Sequence, residues 1–322
     1  MCCPSLNELP PPPLGKTGWP WTEASPSKLE PLPEGSVYPR ISIVTPNFNY
    51  GSSLEETIRS VLLQGYPNLE YIIIDGGSTD NSVEVIKKYE PWLSYWVSER
   101  DRGQGHAINK GFSHCTGEIV NWLCSDDILL PSALQSIAEI FTKNVDVDIV
   151  AGFCRYIYFH REGQSHVAAP FEGCLATLEC SCWMGQPACF YRRKLLNREP
   201  PVDESFHFTM DHELWCYFKS QGAKWFFREQ FFAEAHESGT NKTAVSGPHR
   251  MYEGSIVYKR YVKELIPLTF WYRWLRHPIL MLRRRYPSKW VYWLTLPFHI
   301  GVILLLSPFY GINRVRSMGY QY

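Results

Sequence analysis

Residues 117–131 read Gly-Glu-Ile-Val-Asn-Trp-Leu-Cys-Ser-Asp-Asp-Ile-Leu-Leu-Pro. The run from Ile119 to Leu123 suits a buried strand. It stops at Ser125, two adjacent carboxylates follow, Asp126 and Asp127, and hydrophobic residues resume at once. Neighbouring carboxylates repel each other and are costly in a half-buried place. A cation between them and a ligand would offset that cost. Hard divalent ions such as Mg²⁺ or Mn²⁺ take oxygen ligands, often one or two carboxylates plus substrate phosphates. Taken alone, the pair also suits a surface turn in which Asp127 caps the next helix.

Around this stretch the chain alternates strand and helix. Ile41, Ile43 and Val44 predict a strand ending at Thr45-Pro46, and Leu69 to Ile74 a second one stopping at Asp75. Leu93 to Val97 and Asp148 to Gly152 add two more. Between them, Leu54, Ile58, Val61 and Leu62 follow the i, i+4, i+7, i+8 spacing of an amphipathic helix. Val83, Ile86 and Tyr89 mark a second helix, Ile108 and Phe112 a third, and Leu134, Ile137, Ala138 and Phe141 a fourth. Apolar strands alternating with such helices predict an α/β fold, an open and mostly parallel sheet with helices on both faces. Ligands of such sheets bind beyond the carboxyl ends of the strands. Four polar loops fall there: 45–49, 75–80, 98–104 and 125–127.

Each loop also has a bland reading. Asp75 in Asp-Gly-Gly suits a turn, yet a carboxylate at a strand end can also accept hydrogen bonds from a base or a ribose. Residues 99–111 combine Arg100, Arg102, three glycines and a helix start, which can present cations and backbone N–H groups to an anion. No G-x-G-x-x-G follows the first strand and no G-x-x-x-x-G-K-[ST] occurs, which argues against a dinucleotide site and a P-loop.

Composition narrows the field. The 322 residues carry 32 basic and 32 acidic side chains, so no overall field favours nucleic acid. Ten cysteines in a long chain, with no basic start or apolar core in Met1 to Leu9, predict reduced thiols in a cytosolic setting. Cys174, Cys180, Cys182 and Cys189 lack the C-x-x-C spacing of a zinc site. Residues 1–39, with Pro10 to Pro13, are expected to be an extended leader. Trp19 and Trp21 are odd in a linker and point to docking on the domain or on a partner.

Taken together, Thr45-Pro46-Asn47-Phe48-Asn49, Ile74-Asp75-Gly76-Gly77-Ser78-Thr79-Asp80, Gly103-Gln104 through Asn109-Lys110-Gly111, and Trp122 through Ser125-Asp126-Asp127 resemble the family 2 glycosyltransferases of the GT-A fold, of the bacterial polysaccharide type. The resemblance covers residues 40–242. It implies an inverting transfer of a sugar from a nucleotide sugar, with Asp75 on the base, Asp126 on the ribose and Asp127 on a Mn or Mg ion at the diphosphate. It extends the nucleotide-sugar set to Thr45, Pro46, Asn49, Arg102, Gln104, Asn109, Lys110 and Ser125. Two departures are His106, where relatives often carry aspartate, and Met210, where they carry an acid. Thr209-Met210-Asp211-His212-Glu213 is similar to the segment that supplies the base. Asp211 is the expected base, with Glu213 as runner-up. His236-Glu237-Ser238-Gly239-Thr240 resembles the family's late histidine segment, making His236 a second candidate metal ligand.

Residues 243–322 are expected to be helical and to associate with a membrane. Trp290 to Ile312 contains no Asp, Glu, Lys or Arg over a length able to span a bilayer, although Pro297, His299 and Pro308 interrupt it. Aromatic and basic residues flank it, as at a membrane interface. The expected function is an inverting, metal-dependent glycosyltransferase at the cytoplasmic face of a membrane. Its expected partners are a nucleotide-sugar donor and a glycan or lipid-linked saccharide acceptor, with no nucleic acid. A nucleotidylyltransferase and a non-catalytic nucleotide-sugar-binding module are the alternatives.

Overall fold

The structure, a computed structural model, describes residues 3–26, 37–158, 164–239, 242, 247–262, 264, 268–271, 274–275, 277–286 and 288–317. Its centre is β1 (Ile41–Asn47), flanked by β2 (Leu69–Asp75) and β4 (Ile119–Trp122), with β3 (Tyr95–Ser98) outside β2. All three of these pairings are parallel. The register sets Asn47 opposite Asp75 and Asp75 opposite Ser98, while Val44 faces Trp122. The carboxyl ends of four strands therefore share one edge, as the apolar runs predict.

Alternation along the strands builds two cores. Tyr71 and Ile73 face one side with Leu54 and Ile58 of α1 (Gly51–Leu62), Ile86 of α2 (Ser82–Tyr89) and Ile137 of α4 (Ala133–Lys143). Ile72 and Ile74 face the other side with Ile108 and Phe112 of α3 (Gln104–His114) and Leu214 and Phe218 of α5 (Met210–Ser220). At Gly111 a Cβ would lie 2.2 Å from Val44 Cγ1, so only glycine lets α3 approach β1 this closely.

The second half of the sheet is joined differently. β8 (Cys189–Arg192) runs antiparallel to β4 and to β6 (Ile149–Tyr158). The long β9 (Trp225–Glu237) lies parallel to β6 and antiparallel to β5 (Asp127–Leu129), and β7 (Ser165–Ala168) pairs with β6. The result is a mixed open sheet. Asp127 does not cap a helix; it opens β5 opposite Ala235.

The described leader residues are not a free extended arm. Trp19 Nε1 donates to Leu129 O at 2.9 Å, and Leu9 and Trp21 are buried. The fully buried Arg59 of α1 donates to the carbonyls of Pro10, Pro20 and Trp21 at 2.8–3.1 Å. Residues 3–26 are thus docked on the domain; residues 27–36 lie outside the described set. Proline-rich backbone leaves many carbonyls without partners of its own, and a guanidinium is suited to collecting several at once.

After the sheet come α6 (Gly247–Tyr261), α7 (Leu268–Trp271), α8 (His277–Arg285), α9 (Lys289–Tyr310) and α10 (Ile312–Ser317). A third core joins Tyr258, Leu268, Val302, Leu306 and Val315 to Cys180.

Replacing Arg59 by Leu removes the donors and leaves three carbonyls inside without partners. Unfolding in urea should show a loss of roughly 3 kcal/mol or more. An unchanged midpoint would mean that the leader is not held by this residue.

Candidate functional site

The shared edge is first shaped by Asp75. Its Oδ1 accepts from Asn47 Nδ2 at 2.7 Å and Ser78 Oγ at 2.5 Å. Its Oδ2 accepts from Gly77 N, Ser78 N and Ser98 Oγ. Burial works against the charge, but these bonds outweigh it and hold the carboxyl below its ordinary range. The side chain is fully buried. Asp75 thus positions the 76–79 loop through both of its oxygens. Asn49 works in the same loop: its N–H donates to Ser78 Oγ and its Oδ1 accepts from Thr79 N. Thr45 bonds the Tyr71 hydroxyl beneath the edge, and Pro46 O lies 3.4 Å from Ser125 Oγ.

The acidic pair follows β4. Ligand atoms of Cys124, Asp126 and Asp127 lie within 4.8 Å of one another. Burial, then the charge of Asp126, push the Asp127 carboxyl well above its usual value, against a hydrogen bond from the His236 N–H. Tyr50 packs alongside; burial first, then Asp126, Cys124 and Asp127, raise its phenol to about 12. A divalent cation would reverse the penalty on Asp127. The two carboxylates are hard donors that suit Mg²⁺ or Mn²⁺, whereas the Cys124 thiol is a soft one. The donor set therefore fits a cation held by Asp126 and Asp127.

The backbone N–H of His236 reaches this cluster at Asp127. Side chains alternate on β9, so Ala235 faces Asp127 while His236 turns with Glu234. Its Nε2 lies 4.0 Å from Glu234 Oε2, and Glu234 in turn binds Arg155.

Of the α3 residues, Gln104 reaches the pocket. Its Nε2 lies 3.1 Å from Cys124 Sγ, and its Oε1 accepts from Lys242 Nζ at 2.9 Å. The others are spent elsewhere. Arg102 pairs with Glu204 at 2.9 Å and Lys110 with Glu99. Asn109 donates to Val202 O and accepts from Val202 N, both at 2.8 Å. Arg102, in the loop before α3, and Asn109 tie this region to the 202–204 segment, and Lys110 ties it to Glu99.

Across the pocket stands Asp211, in the first turn of α5, its Oδ1 accepting from His212 N at 2.8 Å. The loop before it is fixed by Glu253 of α6, which accepts from the N–H groups of His207, Phe208 and Thr209. Glu213 faces away into a structural network. It is fully buried and takes hydrogen bonds from both arms of Arg198, from Arg260 and from Tyr261. Burial opposes its charge, but those bonds hold its carboxyl below the ordinary range.

One thiol ties the two sides together. Burial raises Cys124, followed by the charges of Asp127, Asp126, Lys242 and Asp211, with Lys242 alone opposing. Tyr156 likewise feels both Asp211 and Asp127. Lys242, Tyr50 and Tyr156 escaped the sequence reading. Lys242 is a single basic residue after the late histidine, with no spacing to mark it, and only the folded chain brings it to Gln104.

The sequence profile of "Glycosyl transferase family 2" matches residues 42–218, more than half of the chain. The chain belongs to that family. A protein described as an uncharacterized glycosyltransferase of Nostoc sp. is 34% identical over 174 residues, covering 51% of this chain and 54% of that protein. Another, of Rickettsia typhi, is 25% identical over 248 residues, covering 73% and 75%. The chain thus spans about half the length of the Nostoc relative. Among solved structures, S. aureus TarS 1-349 in complex with UDP-GlcNAc superposes with a TM-score of 0.60 at 15% identity, covering 86% of this chain and 89% of that one. Mannosyltransferase PcManGT from Pyrobaculum calidifontis, in complex with GDP-Man and Mn²⁺, gives 0.53 at 19%, covering 88% and 79%. Both likenesses carry the fold, which is of the GT-A type.

The Asp127 shift has a thermodynamic consequence in chelator. Its folded-state pKa is raised, so the folded protein binds this proton more tightly than the unfolded chain does. The associated stability is present at acid pH and declines as pH rises from the ordinary carboxylate range through the folded value. Asp127→Asn should flatten that decline in melting temperature against pH. An identical slope in parent and variant would contradict the buried like-charge pair.

Proposed function

We propose that this chain is an inverting, metal-assisted glycosyltransferase of hexosyltransferase type, serving polysaccharide biosynthesis. It moves a sugar from a nucleoside-diphosphate sugar to a hydroxyl of a glycan or lipid-linked saccharide at the cytoplasmic face of a membrane. The carrying observation is the Cys124 thiol, which lies within reach of the charges of Asp126, Asp127, Lys242 and Asp211 together and beside Gln104. Charge for the leaving diphosphate and a base for the entering hydroxyl are then gathered around one thiol. Family membership supports a nucleotide-sugar donor and sets a nucleotidylyltransferase aside. Similar folds are recorded with UDP-GlcNAc and with GDP-Man plus Mn²⁺.

In this reading Asp126 and Asp127 would hold a Mn or Mg ion, which when bound would supply stabilisation for the charge that develops on the diphosphate. Asp75 and Asn49 keep the 76–79 loop in shape for the nucleoside. Lys242, anchored on Gln104, offers an ammonium to phosphate oxygens. Asp211 takes the proton of the acceptor hydroxyl as it attacks from the side opposite the leaving group. Its position at a helix N-terminus, with His212 N–H on one oxygen, leaves the other oxygen for the acceptor.

Asp211→Asn should leave donor affinity near the parent value while transfer falls by roughly 10²–10⁴-fold, measured as nucleoside-diphosphate release across a panel of nucleotide sugars with Mn²⁺. Glu213→Gln should act differently, lowering the melting temperature by weakening the Arg198–Arg260 network. Donor binding with no turnover in the parent, across the panel, would favour a non-catalytic binding module. Full parent turnover in excess chelator would overturn the metal role.

A further inference from the structure

The apolar helix α9 is long enough to cross a bilayer by composition, yet its packing argues for another placement. One side is turned inward over its whole length: Val291, Thr295, His299, Val302, Leu306 and Tyr310 recur at three- or four-residue steps and are buried or half-buried. Val302 and Leu306 pack with Tyr258 of α6, Cys180 and Val315. Trp271 Nε1 donates to the Tyr310 hydroxyl at 2.9 Å, and Arg283 Nε donates to Thr295 Oγ1 at 2.8 Å. α6 is in turn part of the catalytic domain, since its Arg260 binds Asp203 and Glu213.

The last turns of α9 are therefore clamped against a polar domain. The apolar residues ahead of that clamp, 290–301, extend about 18 Å at 1.5 Å per residue. That is well short of a hydrocarbon core of about 30 Å.

The other side of α9 has no cover among the described residues. Trp290, Trp293, Leu294, Leu304, Leu305 and Phe309 are each more than 60% exposed. A helix that is apolar all round normally buries all of its faces, and an apolar strip this long calls for an occupant. Charge identifies it. After Glu264 the chain contains no Asp or Glu, and exposed Arg285, Lys289 and Arg316 flank the two ends of α9. Anionic headgroups would match these cations, whereas a second copy would bring like charges together.

We propose that α9 is a monotopic anchor, lying in the plane of an anionic lipid surface with its Trp293–Leu305 face immersed and its Val302–Leu306 face on the catalytic domain. The inference rests on the membrane reading above and adds its geometry. The third core links α9 through Cys180 to Cys182, which senses Asp211.

The test uses the full chain and vesicles of phosphatidylcholine with phosphatidylglycerol. The parent should co-sediment with them and be released by alkaline carbonate. Leu294→Glu with Leu305→Glu should cut the bound fraction about tenfold or more, with melting temperature and transfer to a soluble acceptor unchanged. Retention after the carbonate wash would show a spanning helix and overturn the proposal while keeping membrane association. No binding of the parent to vesicles would overturn membrane association itself. A parent dimer in vesicle-free solution that the double variant dissociates would assign the face to a second copy and overturn the proposal. The carbonate result comes from the parent alone, so it stands even if the double variant does not fold.

Discussion

Two carboxylates forced side by side at the end of a buried strand are the constraint around which this molecule is arranged. β4 is held parallel to β1 by register, and β5 is held by β9, so Asp126 and Asp127 cannot separate without breaking sheet pairing. Burial and mutual repulsion penalise the charged form of Asp127. A folded protein retains such a cost at a functional site when a ligand offsets it. The remaining polar groups of the edge fit that view. Asp75 and Asn49 shape the neighbouring loop, and Lys242 brings a cation to the opposite wall through Gln104.

The fold was legible wherever periodicity is local. Ile41 to Val44, Leu69 to Ile74 and Ile119 to Leu123 are continuous apolar runs because parallel strands are covered on both faces, and the four helices between and after them announce themselves at 3.6-residue spacing. The mixed second half was less legible. Nothing in Cys189–Arg192 or in Trp225–Glu237 states which neighbour each strand meets or in which direction. The leader failed for the same reason: its proline-rich backbone is stabilised by Arg59, a residue 38 positions or more from the carbonyls it binds.

The site divides along the same line. Positions at or just beside strand ends, such as Asp75, Asp126 and Asp127, are set by the strand itself. Positions on helices and late loops depend on what they meet in space. Arg102, Asn109 and Lys110 have partners at Glu204, Val202 and Glu99 that no local spacing announces. His236 brings its backbone N–H to Asp127, while its imidazole lies beside Glu234. Glu213 and Asp211 are two residues apart on one helix, and their directions differ enough that one is sealed in an ion-pair network and the other faces the pocket.

The central claim is that the Asp126–Asp127 pair exists to bind a divalent ion together with a nucleoside diphosphate. Titrating Mn²⁺ into the protein and following free Mn²⁺ by electron paramagnetic resonance, with and without a nucleoside diphosphate, tests it most directly. The account predicts one site per chain that tightens when the diphosphate is present and disappears in Asp127→Asn. Equal Mn²⁺ binding by parent and variant, or no binding by the parent with the diphosphate present, would contradict it.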